Sequence, residues 1–369
     1  MATLVRSSVQ TLRLPFGLAR TFASSVPTRS TTTTTHLNTL ADLSPNQIHQ
    51  LILSAAHHKH RANHLRLGSE DKPLAGKSVA LLFSKRSTRT RLATETAVAY
   101  LGGHAIFLGS NDIQLGVNES FRDTATVVGS MADGIMARVG AHSEITELIK
   151  HSRAPIINAL SDDFHPTQIL ADLLTMHELT ISPKPYSVEE EYKAHLVHPR
   201  ETLPGLRCAW VGDANNILHS MMMAFPKMGI HLAAATPKSY PVLDRMKQLS
   251  QKCAGNSPDL TVQYTNSPAE AIKGSDYIVT DTWVSMGQEE EKAQRMKDFT
   301  GFQVTEQMAK DGGAKEDWKF LHCLPRKPEE VDDATFYGPR SMVWQEAENR
   351  KWTILAVMEA LVGHGKWKD

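Results

Sequence analysis

A run of hydroxyl and guanidinium side chains occupies Ser87-Thr88-Arg89-Thr90-Arg91. It follows an apolar segment, 78–83, that predicts a buried strand, and it opens a predicted helix. The first N–H groups of a helix have no partner within it and the helix dipole is positive there, so this position attracts anions. Hydroxyl and guanidinium donors match phosphate geometry. A solvated, capped helix start is the alternative interpretation, but the neighbouring Lys85 and Arg86 favour a phosphate site.

Three further polar residues lie at or just past the ends of predicted strands. Arg138 ends an apolar strand, and an unpaired buried charge there is costly unless it meets an anion or a polar ligand. His165 alone would be interpreted as a core or surface histidine, and Arg138 shifts that interpretation towards a ligand contact. Asp281 needs a cationic partner, which a bound amine would supply.

Other polar segments fall at equivalent places in the two halves of the chain. In open parallel sheets, ligands bind beyond the carboxyl ends of the strands, where loops and helix starts converge. Two such sheets facing a cleft would therefore bring these segments together. The segments are Gln114, 213–216, 281–287 and 322–326, while Glu346 to Arg350 is by position alone only a charged first helical turn.

The elements that position these residues alternate between short apolar runs and longer amphipathic ones, a pattern typical of parallel α/β proteins. Predicted strands are 78–83, 105–108, 135–139, 155–159, 207–211, 231–235, one near Val262, 277–280 and 319–321. Predicted helices are 88–101, 119–132, 144–150, 166–177, 216–228, 242–253 and 346–362, the last with an apolar stripe of Ile354, Val357 and Leu361.

This order predicts an α/β fold of two doubly wound parallel-sheet domains that face a cleft, with the C-terminal helix packing back on the first domain. We place the first domain at 37–180 and the second at 205–344. The intervening 181–204 is charged and contains prolines, so we predict a linker or surface insertion; 345–369 carries the final helix.

Composition narrows the class of partner. Forty basic residues balance forty acidic ones over 369 residues, so nothing predicts binding to nucleic acid or to an anionic membrane. No apolar run approaches the ~20 residues that a membrane span needs. The motifs GxxxxGK[ST] and GxGxxG are absent, and three scattered cysteines without a CxxC pair argue against a disulfide or cysteine metal site. Small-molecule chemistry remains.

The first 36 residues predict a mitochondrial transit peptide. No Asp or Glu occurs before Ala41, and Arg6, Arg13, Arg20 and Arg29 recur among apolar and hydroxyl residues. That composition is typical of organellar import. It is unlike a secretory signal, because a secretory signal has an uninterrupted apolar core and these arginines would interrupt it. We therefore expect import into the mitochondrial matrix, with a plastid destination and a disordered tail as the alternatives.

Several long motifs make the chain resemble the ornithine carbamoyltransferases over essentially everything after the presequence. The motifs are Ser87-Thr88-Arg89-Thr90, His165-Pro166-Thr167-Gln168, Asp281-Thr282-Trp283-Val284-Ser285-Met286-Gly287 and His322-Cys323-Leu324-Pro325-Arg326. The resemblance implies transfer of the carbamoyl group of carbamoyl phosphate to the side-chain amine of L-ornithine, without metal or organic cofactor, in a homotrimer whose active sites are shared between subunits.

The resemblance also implies residue roles. Catalytic roles fall to Arg138, His165 and Cys323. Carbamoyl phosphate binding falls to Ser87, Thr88, Arg89, Thr90, Gln114, Arg138, His165, Gln168, Cys323, Leu324 and Arg350. Ornithine binding falls to Asn216, Asp281, Ser285 and Met286. Gln114 is the residue implied to reach a neighbouring subunit; some relatives have a histidine there, and glutamine cannot titrate near neutral pH.

Two alternatives stay open at this point. One is a carbamoyltransferase with another acceptor, such as aspartate or putrescine. An aspartate acceptor would call for cationic groups where Asp281 and the 285–287 loop stand. The other is a catalytically silent binding subunit that uses the same cleft, against which the intact set of motifs argues.

Overall fold

The computed structural model describes residues 35–69, 71–110, 119–181, 196–255, 257–284 and 289–367. These described residues form one compact unit. Gln114, Ser285, Met286, nearly all of the predicted transit peptide and most of the predicted linker lie outside the described ranges.

The described strands and helices follow the chain in alternation. The strands are β1 (Ser78–Phe83), β2 (His104–Gly109), β3 (Gly134–Arg138), β4 (Ile156–Leu160), β5 (Arg207–Val211), β6 (His231–Ala235), β7 (Gln263–Thr265), β8 (Tyr277–Thr280) and β9 (Lys319–His322). The α-helices are α1 (Pro45–Asn63), α2 (Thr88–Tyr100), α3 (Phe121–Met131), α4 (His142–His151), α5 (Pro166–Ile181), α6 (Pro199–Thr202), α7 (Asn216–Ala224), α8 (Asp244–Ala254), α9 (Pro268–Ile272), α10 (Lys292–Asp298), α11 (Glu306–Asp311), α12 (Asp333–Phe336) and α13 (Val343–Met358).

Short 3-10 helices lie at Leu40–Asp42, Pro226–Met228, Pro258–Leu260 and Glu289–Glu291, and a π-helical turn at Glu359–Gly363 extends α13. In the described part of the chain, no helix is long and apolar enough to cross a bilayer.

Two parallel sheets confirm the predicted fold class. The first has the strand order β2-β1-β3-β4 and the second the order β7-β6-β5-β8-β9. Every described pairing within them is parallel. Strands β1 and β3 are almost entirely buried because both faces are covered, which explains their continuous apolar sequences. The carboxyl ends of β1 and β3 are adjacent, with Phe83 paired to Arg138.

The C-terminal helix α13 packs back on helices of the first sheet, as predicted. It contacts α1, α2 and α5. The predicted stripe of Ile354, Val357 and Leu361 is buried, and complete burial of each such side chain contributes ~1.5–3 kcal/mol. Three polar residues in the N-terminal half of α13 are also buried, namely Glu346, Asn349 and Arg350. The helix therefore carries polar groups into the protein interior as well as closing the core.

The structure differs from the predicted helices in two places. The continuous helix predicted over 216–228 is wrong, because α7 ends at Ala224 and a 3-10 turn starts at Pro226, a residue that cannot supply the N–H of a continuing helix. Helix α1 was absent from the predicted elements, although Ser44 and Gln47 form a capping box at its start and Pro45 occupies its first turn. Its buried Ile48, Leu51 and Ile52 complete the first core.

Candidate active site

The start of α2 forms the floor of the site. Ser87 caps the helix, its Oγ accepting from the Thr90 N–H at 3.3 Å. Thr90 is buried, whereas the Arg89 guanidinium extends to donate to the Leu324 carbonyl in the loop after β9. The predicted role of Arg91 in this anion run is wrong, since its guanidinium pairs with Glu95 and lies over the Phe107 ring. Arg89 alone supplies the guanidinium of this segment.

Arg138 and Arg350 bring two more positive charges to the same place. Arg138, the last residue of β3, is 7% exposed and Arg350 on α13 is 2% exposed. Burial, and then the other arginines nearby, lower the pKa of each to about 10. The Nε atoms of both are buried without a hydrogen-bond partner among the described residues. Burying this much positive charge costs free energy, which a bound anion would offset.

His165 lies at the N-terminus of α5 against these arginines. Its backbone N–H donates to the Ser220 Oγ at 2.8 Å, which ties the first half of the chain to α7. Its ring Nδ1 lies 3.4 Å from the Thr167 hydroxyl. Burial and the three neighbouring arginines lower the pKa of His165 well below its usual value. The imidazole is therefore neutral and is suited to donate to a developing oxyanion rather than to carry charge.

Gln168 sits in a polar network that closes one side of the site. Its Oε1 accepts from Arg350 Nη1 at 2.7 Å. Its Nε2 donates to Asp172 Oδ1 at 2.9 Å and to Glu346 Oε1 at 2.7 Å. Arg350 also donates to Thr90 Oγ1 at 3.0 Å. Asp172 was not among the predicted site residues. It lies four residues after Gln168 on the same helix, and this spacing places the two side chains on one face.

Asp281 and Cys323 meet on the opposite side of the cleft. The Cys323 thiol donates to Asp281 Oδ1 at 3.0 Å, and Asn215 Nδ2 donates to Asp281 Oδ2 at 2.8 Å. Burial and the Asp281 charge raise the pKa of Cys323 well above its usual value. A neutral thiol is a poor nucleophile, and here it donates a hydrogen bond to a carboxylate that could receive a cation. The catalytic role that the resemblance implies for Cys323 stays a prediction.

The same region contains the one cluster among the described residues whose atoms could approach a metal, formed by Asp281, His322 and Cys323. Both ring nitrogens of His322 are engaged, Nδ1 by the Leu324 N–H at 2.9 Å and Nε2 by Glu330 at 3.3 Å. The thiol is likewise engaged by Asp281. These hydrogen bonds hold the 322–324 loop in place. That the site works without a metal stays a prediction.

Asn216 and Asp213 behave differently from one another. The Asn216 Nδ2 donates to the Ser161 carbonyl at 2.7 Å, so the start of α7 faces the end of β4 across the cleft. Asp213 is instead buried in an ion pair with Arg295 at 2.9 Å. Asp213 is therefore engaged in holding the second half together, and Asn216 faces the cleft.

The structure thus brings nearly all described candidates into one cleft. Ser87, Thr88, Arg89, Thr90, Arg138, His165, Gln168 and Arg350 gather at the first sheet, and Asn216, Asp281, Cys323 and Leu324 approach from the second. Gln114, Ser285 and Met286 lie outside the described residues.

Comparison with known proteins gives a consistent result along the chain. A family model described as "Aspartate/ornithine carbamoyltransferase, carbamoyl-P binding domain" matches residues 35–178. A second, described as "Aspartate/ornithine carbamoyltransferase, Asp/Orn binding domain", matches residues 204–361.

Curated relatives extend the similarity to whole chains. A protein of Aspergillus terreus named "Ornithine carbamoyltransferase, mitochondrial" is 49% identical over 354 residues, 95% of each chain. One of the same name from Emericella nidulans is 48% identical over 367 residues, 98% of each chain. A crystal structure of a mitochondrial ornithine carbamoyltransferase from Coccidioides immitis superposes with a TM-score of 0.80 at 45% identity, covering 91% of this chain and all of that one. The enzyme from Pyrococcus furiosus gives a TM-score of 0.77 at 37% identity, covering 88% of this chain and 96% of that one.

Proposed function

This chain belongs to the ornithine carbamoyltransferase family and transfers the carbamoyl group of carbamoyl phosphate to the side-chain amine of L-ornithine, giving L-citrulline and phosphate; we propose that it does so in the cleft between its two sheets. The reaction is a step of arginine biosynthesis. The observation that carries the location is the cluster of Arg89, Arg138 and Arg350 at the capped start of α2.

The phosphate group is assigned to the segment Ser87, Thr88, Arg89 and Thr90. Helix-start N–H groups and hydroxyls donate to its oxygens, and the guanidinium supplies charge. Carbamoyl phosphate is a dianion, so the site must bring at least two positive charges that are not already neutralised. Arg89 and Arg138 lie within electrostatic range of each other and supply them.

The carbamoyl group is assigned to Arg138, His165 and Gln168, with Arg350, Cys323 and Leu324 completing its walls. Arg350 donates to both Gln168 and Thr90, so it links the carbamoyl side of the site to the phosphate side. Gln114 is assigned, as the resemblance implies, to the active site of a neighbouring subunit.

Ornithine is assigned to Asn216, Asp281, Ser285 and Met286. The Asp281 carboxylate accepts one hydrogen bond at each oxygen, and an ammonium or amine N–H can replace the weak thiol donor. Cys323 then lies beside the reacting amine. Its neutral thiol and the water-poor surroundings favour the uncharged, nucleophilic form of that amine.

In the transfer step the amine lone pair attacks the carbamoyl carbon, and the carbonyl oxygen takes up the negative charge. Arg138, His165 and the Thr90 hydroxyl are positioned at the edge of the site to donate to that oxygen, an effect worth ~3 kcal/mol per donor. The bond from the carbonyl carbon to the phosphate oxygen then breaks. The proton lost by the attacking nitrogen passes to the departing phosphate, so no protein group has to change its charge.

Acceptor choice tests this proposal most simply. We expect residues 35–369 to form the carbamoylated product from ornithine at a rate at least a hundredfold above that from putrescine or aspartate. Product from aspartate alone would contradict the assignment of Asp281. Binding of carbamoyl phosphate without product from any acceptor would support a silent binding protein instead.

A homotrimer is part of the proposal, supported by exposed apolar side chains around the edge of the first sheet. The edge strand β2 and helices α2 and α3 expose four large apolar residues, Leu92, Ile106, Val127 and Met131, the last at 79%. Large exposed apolar side chains near one edge of a sheet can mark a protein–protein contact. Light scattering should give three times the monomer mass, and Met131→Asp should lower it; a monomeric wild-type chain would contradict the proposal.

The chain is a mitochondrial protein, as its named relatives are, and we place it in the matrix. The arginine-containing, acid-free segment 1–36 supports import. A reporter fused to residues 1–40 should become resistant to protease in mitochondria until both membranes are opened. A reporter that stays in the cytosol or the intermembrane space would contradict the placement.

A further inference from the structure

Two buried carboxyl groups, Asp172 and Glu346, lie behind Gln168 and have no part in the assigned ligand contacts. We propose that they are positioning residues, which hold the Gln168 amide so that its carbonyl oxygen faces the ligand and thereby select an acyl phosphate that carries an N–H group. The inference rests on the proposed function, since it concerns how the carbamoyl group is recognised.

Hydrogen bonds fix the orientation of the Gln168 amide. Its nitrogen has two hydrogens, and each meets a carboxyl oxygen, at 2.9 Å on Asp172 and 2.7 Å on Glu346. Its oxygen accepts from Arg350 at 2.7 Å. A flipped amide would set its oxygen against two carboxyl groups and its N–H groups against a guanidinium. The carboxyl pair therefore forces the oxygen towards the arginines.

An amide oxygen held in this way has one lone pair left for the ligand, since a carbonyl accepts two hydrogen bonds. The arginine and histidine groups around it are donors, so the Gln168 oxygen supplies a side-chain acceptor among them, in addition to the Leu324 carbonyl that accepts from Arg89. The carbamoyl group has one acceptor oxygen and one donor NH₂. A site built to receive an N–H group rejects an analogue that lacks it, because the acceptor is then left unpaired.

Charge also favours one proton shared by the two carboxyl groups. They approach the same nitrogen atom, and burial, followed for Glu346 by the charge of Asp172, raises the pKa of both. The facing groups are Arg350 from α13, Cys323 from the loop after β9 and Cys208 from β5. A pair holding one proton has a single negative charge, which balances Arg350. Arg89 and Arg138 are then free to neutralise the ligand dianion.

The two carboxyl groups differ in a way that experiment can use. Asp172 bonds within the first half of the chain, four residues from Gln168 on the same helix. Glu346 also accepts the His322 N–H at 2.8 Å and so holds the start of the 322–324 loop. A change at Asp172 should therefore affect recognition of the NH₂ group alone, and a change at Glu346 should affect the ornithine side as well.

The test uses two stable phosphonates that differ only at the position of interest. Phosphonoacetamide keeps the NH₂ of the carbamoyl group, and 2-oxopropylphosphonate has a methyl group there. Calorimetry gives the dissociation constant of each phosphonate for four proteins: the wild type in the oligomeric state in which it is isolated, and the variants Asp172→Ala, Asp172→Asn and Gln168→Met. Circular dichroism and thermal unfolding report whether each variant folds.

We expect the wild-type protein to prefer the amide by about tenfold, the value of one well-formed hydrogen bond. Asp172→Ala and Gln168→Met should each abolish that preference by weakening the amide only, with the ketone within twofold of wild type. Combining the two changes should add nothing. Asp172→Asn should retain the preference, since asparagine can still accept from Gln168 and donate to Glu346.

Three results would overturn the proposal. Asp172→Ala could weaken both phosphonates equally, as a purely structural role requires. Gln168→Met could keep the preference, which would show that Gln168 does not read the NH₂ group even if Asp172→Ala fails to fold. Asp172→Asn could lose the preference for the amide phosphonate. These binding measurements need no turnover, so a wild-type protein that shows the preference but forms no citrulline would refute the proposed function while leaving this inference intact.

Discussion

Replacing Arg138 by methionine separates the ligand role of this arginine from any structural role. Methionine retains most of the apolar stem and removes the charge and all five N–H donors. In the structure Arg138 is 7% exposed, and its Nε has no hydrogen-bond partner among the described residues. Burial, and then the charge of Arg89, lower the pKa of Arg138 to about 10. We therefore expect that Arg138→Met breaks no favourable ion pair in the unliganded protein.

The magnitude follows from what Arg138 would do in the reaction. Loss of one donor to a developing oxyanion costs ~3 kcal/mol, or roughly 10²–10³ in kcat. Loss of one of the two charges facing the phosphate dianion weakens carbamoyl phosphate binding in addition. We expect kcat/KM for carbamoyl phosphate to fall by about 10³ or more. The thermal midpoint without ligand should stay the same or rise, because a desolvated cation has been removed from among other cations.

Two assays on the same samples check this prediction: initial rates of citrulline formation at varied carbamoyl phosphate, and thermal unfolding with and without phosphonoacetamide. The wild-type midpoint should rise with the ligand and that of Arg138→Met should barely respond. Turnover within threefold of wild type would refute the oxyanion role. A large drop of the unliganded midpoint would show instead that Arg138 mainly stabilises the fold.

Three further outcomes follow from the same structure. Asp281→Asn should raise the KM for ornithine at least tenfold with little change in KM for carbamoyl phosphate, measured by steady-state kinetics; an equal rise in both would contradict the separation of the two sides. Arg295→Met should lower the free energy of unfolding in urea by ~3–5 kcal/mol, because it leaves the buried Asp213 carboxylate without its partner, and a loss below 1 kcal/mol would contradict that reasoning. Burial lowers the pKa of five histidines, so the unfolded chain binds protons that the folded rings do not; they are His36, His49, His142, His165 and His219. They outnumber the three buried carboxyl groups whose raised pKa acts in the opposite direction, Asp172, Asp213 and Glu346. The free energy of unfolding should therefore fall as the pH drops through about 6.5, and a flat profile between pH 7.5 and 5.5 would be the contrary result.

The alternation of strands and helices was predictable because it depends on local patterns. Buried parallel strands such as β1 and β3 need continuous apolar sequences, and helix starts need a capping residue such as Ser87. Topology then requires that strand ends meet at one edge of each sheet. This is why Arg138, His165 and Asp281, although distant in sequence, were expected in one cleft and, in the structure, lie there.

The contacts that support the site were not predictable from local patterns. Glu346 resembles an ordinary charged helix start in the sequence, and its burial depends on α13 crossing back over the first sheet. Arg91 has the same side chain as Arg89, and only the rotation of α2 turns it away towards Glu95. Asp213 similarly depends on Arg295, 82 residues further along the chain, for its partner. Such pairings are decided by tertiary packing, which spacing does not encode.

A crystal structure with a bisubstrate analogue, in which a phosphonoacetyl group is joined to the side-chain nitrogen of ornithine, tests the central claim most directly. The account predicts that the phosphonate binds the N–H groups and side chains of residues 87–90. The amide oxygen should lie within hydrogen-bonding distance of Arg138 and His165, and the amino-acid end should lie towards Asn216 and Asp281. An analogue bound in the reverse direction, or with its phosphonate away from the start of α2, would contradict the account.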